Sequence, residues 1–170
     1  MNFFKSLAFV SLILLVAGCA TGRPQNAQDF HQETESHEGF ARLYIYRLHN
    51  DVGGAIWSDV SLNGTKVVGL KDDAYTTILI KPGRYNITTE DTSIISGFGN
   101  IAGTINIEDT GAYYLKFDVS YETFTKINGS GYAEPDFKVN YQRWTVVPKD
   151  EALKEISGCY FIDPAVKTLP

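Results

Sequence analysis

The stretch AYYLKFDVSYETF, residues 112–124, decides how this chain is read. Tyr113, Leu115, Phe117, Val119 and Tyr121 fall on one side of an extended chain, with Lys116, Asp118, Ser120 and Glu122 on the other. Strict alternation is the signature of a half-buried strand, because successive side chains of a pleated backbone point to opposite faces. The neighbouring segments continue the theme. Ile105 and Ile107 alternate with Asn106 and Glu108 upstream. Downstream, Phe137, Val139 and Tyr141 begin another strand whose apolar phase shifts to Trp144 and Val146. A β-bulge near Gln142-Arg143 is the expected cause, since one extra residue reverses the facing.

Further back, Val60-Ser61-Leu62-Asn63-Gly64 turns at Asn-Gly into Lys66-Val67-Val68-Gly69-Leu70, a strong hairpin signal. Tyr75–Ile80 runs into Lys81-Pro82-Gly83-Arg84, which predicts a second hairpin onto Tyr85–Thr89. Arg42–Arg47, RLYIYR, is apolar or aromatic at four successive positions, a strand expected to be covered on both faces. Pro148–Gly158 has proline at its start, acids in the first turn and glycine at its end, which predicts a helix with Leu153 and Ile156 against the sheet. The fold class expected is all-β: an antiparallel β-sandwich of about 7–9 strands with one short C-terminal helix.

The N-terminal residues are of another kind. Leu7–Gly18 is an apolar run of twelve residues behind Lys5, too short for the roughly 20 that a spanning helix needs and suited to an export signal. It closes on Val16-Ala17-Gly18-Cys19, which resembles the bacterial lipobox. That likeness implies cleavage between Gly18 and Cys19, and a diacylglycerol on the Cys19 thiol with a further chain such as palmitate. One chain holds only marginally and two or three hold firmly. Residues 20–39 are polar apart from Phe30 and read as a flexible tether of roughly 25 Å root-mean-square span. The expected organisation is signal peptide 1–18, lipid-anchored linker 19–39 and β-sandwich 40–170.

Composition narrows the partners. The net charge is −5 and falls to −6 once residues 1–18, which carry Lys5 and no acid, are removed. With no basic run, nucleic acid is not an expected partner. Cys159 is the one other cysteine; it reads as a buried, inert thiol, with an intermolecular disulfide, or a bridge to an unlipidated Cys19, as alternatives.

Catalytic motifs find little support. His49 is the single histidine of residues 40–170, inside His49-Asn50-Asp51-Val52-Gly53-Gly54, where turn formation accounts for the residue types. Gly97–Gly103 has the wrong glycine spacing and no following helix for a dinucleotide, and reads as a loop between strands. Asp72-Asp73 reads as a solvated turn rather than a calcium loop, and His31 and His37 as parts of the tether. No enzyme, metal or cofactor is expected. Trp57, Tyr132 and Trp144 are the candidate binding residues, because aromatic faces stack on sugars or anchor a protein partner.

Taken together, LYIYR, VSLNGTKVVGL, AYTTILIKPGRYNITT, AYYLKF and DEALKEISGC resemble the bacterial lipoprotein family of domain of unknown function 2846, across about residues 40–160. The Pro-Gly-Arg-Tyr turn is also similar to PEGA-type surface modules. The resemblance implies a small envelope-anchored β domain with no assigned activity and no catalytic residue to carry over. For a Gram-negative source, Ala20 after the lipidated cysteine implies the outer membrane, facing the periplasm. An envelope protein or a cell-wall glycan is then the expected partner.

Overall fold

The structure is a computed structural model and describes residues 23–35, 37–50, 57–91, 100–124 and 137–170. Among these, ten strands and one helix form in the order β1 (Ala41–Arg47), β2 (Ser58–Leu62), β3 (Thr65–Leu70), β4 (Ala74–Ile80), β5 (Gly83–Asp91), β6 (Ile101–Ile107), β7 (Ala112–Phe124), β8 (Phe137–Val146), α1 (Lys149–Ile156), β9 (Tyr160–Phe161) and β10 (Thr168–Leu169). The first sheet runs β10-β4-β1-β7-β8, with β9 also along β4; the second runs β3-β2-β5-β6. This is an all-β sandwich with one short helix, as the alternation predicts.

Pairing is not uniformly antiparallel. β1 lies parallel to β7, from Arg42↔Ala112 to Tyr46↔Lys116, and β9 and β10 lie parallel to β4. The chain path explains the first case. Between β1 and β7 the chain builds the second sheet and returns to enter β7 at the end where β1 began.

The Asn63-Gly64 hairpin forms as expected. Leu62 pairs with Thr65, and both turn residues have positive φ, 49° and 78°, a conformation that favours asparagine and glycine. Asn63 also ties the turn to β5, where its side-chain oxygen accepts the Asn86 N–H at 2.9 Å.

Two expected turns come out differently. The Lys81-Pro82 corner is not a hairpin, because β4 belongs to the first sheet and β5 to the second. The Tyr85 hydroxyl donates to the Lys81 carbonyl at 2.9 Å and pins that crossing, a tyrosine corner of the kind sandwiches use between sheets. No bulge interrupts β8 at Gln142-Arg143, since its register with β7 is continuous from Leu115↔Val146 to Phe124↔Phe137. Trp144 opposes Phe117, and Tyr141 opposes Ser120, so the strand simply presents aromatic residues to both faces. The register shift that does occur lies in the β2–β3 ladder at Val60/Ser61.

Between the sheets lies an aliphatic core that includes Leu43, Ile45, Leu62, Ile78, Ile87 and Phe117. The outer face of the first sheet carries a second, aromatic cluster of Tyr44, Tyr46, Tyr75 and Tyr114. Ala152 and Ile156 of α1 are buried on it, with Leu153 partly so. β1 is therefore covered on both sides, as its sequence suggests.

The segment before β1 completes that cover and departs from a free tether. Phe30 sits edge-on to Tyr75 and Tyr44, with ring centroids 5.1 Å and 6.1 Å away. The His31 N–H donates to the Tyr75 hydroxyl at 3.1 Å, and the Glu33 N–H to the Tyr44 hydroxyl at 3.0 Å. Residues 23–35 thus form a strap across the outer face. An apolar ring and two hydroxyl acceptors supply what the composition of the segment alone does not.

Candidate functional site

The sandwich has two unlike ends. Asn63-Gly64, Lys81-Pro82 and Glu108–Gly111 are turns at one of them. At the other, β1 and β3 stop, β2 and β4 start, and the strap begins. Here Asp72 is the centre of a polar cluster. Its carboxylate accepts the Asn50 N–H at 3.1 Å, lies 2.7 Å from His49 Nδ1 and faces Arg47 Nη2 at 3.5 Å. Arg47 is fully buried; desolvation pulls its pKa down and the Asp72 charge partly restores it. The Asn50 side-chain amide donates to the Val119 carbonyl.

The residues that the sequence shows only as turn formers are thus brought together into a histidine–aspartate pair. Its partners indicate a structural task. Asp72, in the β3–β4 turn, faces Arg47 of β1 and His49 and Asn50 just after it, so it clamps one end of the sandwich. Cys159 is a poor nucleophile for such a pair. Its thiol packs on the Arg47 carbonyl at 3.7 Å, and burial with the nearby Asp73 and Asp72 carboxylates pushes its pKa up to about 12. A thiol so held stays protonated and unreactive, which agrees with the inert reading.

On the outer face an open groove of about 320 Å³ lies between the strap and the start of α1. Arg42, Leu79 and Ala112 line it from the sheet, Glu35 and His37 from the strap side, and Lys149 from the helix. Arg42 is already engaged, donating to the Glu35 carbonyl at 3.2 Å. Deeper under the strap and helix, burial raises the pKa of Tyr44 to about 12 and moves Tyr46 upward too, with its bond to Glu155 adding to the shift. Both phenols therefore serve as neutral hydrogen-bonding groups.

The three candidate aromatics fare differently. Trp57 is half exposed, with the Lys71 ammonium 5.3 Å from its ring centroid. Trp144 is packed in: it stacks on Phe117 at 4.6 Å, and its side chain comes within 3.4 Å of where a Cβ on Gly103 would sit. With one face on Phe117 and its edge on Gly103, Trp144 is spent on packing rather than on an open binding face. Tyr132 lies outside the described residues, as do Gly18, Cys19 and Gly97–Gly99, while Ile101–Gly103, expected as loop, begin β6. Tyr141, which the sequence reading missed, is exposed beside Arg143 at 5.7 Å; its alternation with Trp144 on opposite faces was the available signal.

Among the described residues no three metal-ligating side chains come together, and no helix is long and apolar enough to cross a membrane. Residues 37–131 match the family described as "Protein of unknown function (DUF2846)". No curated protein and no solved structure matches the chain. The matched region takes in β1 to β7 and leaves the strap, β8 and α1 outside it.

Proposed function

The chain belongs to the DUF2846 family, and from that premise we propose that it is a lipid-anchored protein of the bacterial cell envelope, a non-catalytic binding or assembly module. The observation that carries the reading is the short apolar run closing on Val16-Ala17-Gly18-Cys19. A sulfur nucleophile behind small residues is what transfer of a diacylglyceryl group to a thiol, followed by cleavage in front of it, requires. The protonated Cys159 and the fully engaged Asp72 favour a module without chemistry of its own. For a Gram-negative source, Ala20 supports an anchor in the outer membrane on the periplasmic side. A cell-wall glycan is the alternative partner, on the strength of the half-exposed Trp57 ring.

Fractionation of the native host tests the anchor. The wild-type protein is expected in the membrane fraction and Cys19→Ser in the soluble fraction. Continued membrane retention of Cys19→Ser would overturn the proposal.

A further inference from the structure

The two sides of the sandwich are finished differently. On one side the chain after α1 runs along the edges of β4 and β3 and uses their backbone groups. β9 and β10 pair with β4, the Leu79 N–H donates to the Lys167 carbonyl at 2.9 Å, and the Ala165 N–H donates to the Val67 carbonyl of β3 at 2.8 Å. On the other side β8 and β6 end their sheets, and no strand among the described residues pairs with the outer edge of either. β8 is the longer of the two, with no proline and a continuous register along β7. A long, regular edge of this kind is a template for another strand. Two of the three large apolar side chains left exposed among the described residues, Tyr141 and Val146, belong to it as well.

The ladder decides which backbone groups face outward. The Val147 N–H donates to the Tyr114 carbonyl directly across from it, so Thr145, Arg143 and Tyr141, at alternate positions before it, bond to β7. Lys138, Asn140, Gln142, Trp144 and Val146 then turn their N–H and C=O groups to the open edge. That set is self-complementary. An antiparallel copy of β8 about a two-fold axis at Gln142 sets Lys138 against Val146, Asn140 against Trp144 and Gln142 against itself, and closes about ten backbone hydrogen bonds. The same register puts Arg143 across from Tyr141 of the second copy, as its guanidinium already lies 5.7 Å from its own Tyr141 ring. Moving the axis to Tyr141 leaves Val146 beyond the start of the second β8. Moving it to Arg143 sets two guanidinium groups against each other, which is unfavourable. We infer that two copies of this chain pair through β8 into one continuous sheet. The inference uses only residues of the sandwich and stands apart from the lipid anchor.

The test uses the protein as purified from membranes in a non-ionic detergent. Light scattering should give a protein mass about twice that of one chain, falling to one chain on dilution. The Gln142 and Trp144 amides should exchange about tenfold or more slower in the concentrated sample than in the dilute one. Gln142→Lys sets like charges against each other on the axis, and Gln142→Pro removes an N–H that faces away from β7, a place where an edge strand tolerates proline. Both variants should keep the circular dichroism of the wild type and show the mass of one chain. If Gln142→Pro does not fold, Gln142→Lys, which keeps every bond between β7 and β8, decides alone. A wild-type protein with the mass of one chain at every concentration overturns the pairing. A doubled mass that persists in the folded variants overturns the β8 edge as its seat. The mass of one chain with both amides already slow overturns the second copy in favour of a strand supplied by the same chain.

Discussion

On its inner side β1 presents Ala41, Leu43 and Ile45 to the facing sheet; on its outer side it presents Tyr44 and Tyr46 to the strap and helix. The inner face is built of aliphatic side chains that interdigitate and need no polar partner. The outer face is built of rings with hydroxyls, and those hydroxyls hold the cover in place. Tyr44 and Tyr75 accept strap N–H groups, and Tyr46 donates to Glu155 of α1 at 2.7 Å. Aliphatic packing makes a core that is indifferent to sequence direction. Aromatic hydroxyls fix which segment lies where, and so fix where the chain that leads toward Cys19 leaves the domain.

The sharpest way to break this comparison is to cut into the inner face. Leu43→Ala removes a fully buried side chain and should cost about 2–5 kcal/mol, read by chemical unfolding, with strap and sheets lost together. Phe30→Ala attacks the cover alone. Two edge-to-face ring contacts are lost from a partly buried site, about 1–2 kcal/mol in all. Limited proteolysis should then cut within residues 23–35 while the sandwich resists. Equal protection of both segments would mean that the strap is held by something other than its ring.

Tyr46→Phe keeps the ring and removes the bond to Glu155, at a cost of about 1 kcal/mol. The smallest effect expected is a pH dependence. Burial alone would raise the Glu155 pKa, but bonds from Lys116, at 2.7 Å, and Tyr46 outweigh it and hold the carboxyl below its ordinary 4.5. A depressed carboxylate stabilises the fold above its unfolded value and loses that contribution as pH falls through the lower folded value. Glu155→Gln should therefore lower stability slightly at neutral pH, where the charged carboxylate contributes, and converge with the wild type below about pH 4.5, which flattens the acid limb of the stability–pH curve. An unchanged acid limb would show that helix and sheet are not linked through this group.

The strands were largely legible in the sequence, because period-two alternation is a local property and Asn63-Gly64 encodes its own turn. The path between sheets was not. Whether Lys81-Pro82 closes a hairpin or a corner depends on which sheet receives β5, and no local pattern states that. The parallel β1–β7 pair is likewise a consequence of the whole chain path. Site residues divide in the same manner. Trp57 could be read as exposed beside a loop, whereas Trp144 stacks on Phe117 and packs against Gly103, forty-one positions earlier in sequence. The His49–Asp72 contact joins two turns that each look self-sufficient, so neither signals the other. The strap was the largest miss, since a polar segment with one phenylalanine reads as disordered until its acceptors on Tyr44 and Tyr75 are known.

That strap can be tested amide by amide. Hydrogen exchange followed at His31 and Glu33 reports directly on the two bonds that lay it across the sheet. If residues 23–35 belong to the folded domain, both amides exchange far more slowly than in an unstructured peptide, and Phe30→Ala releases them while β1 stays protected. Exchange of both at unstructured-peptide rates in the wild-type chain, with β1 protected, would contradict the account and return the segment to a free tether.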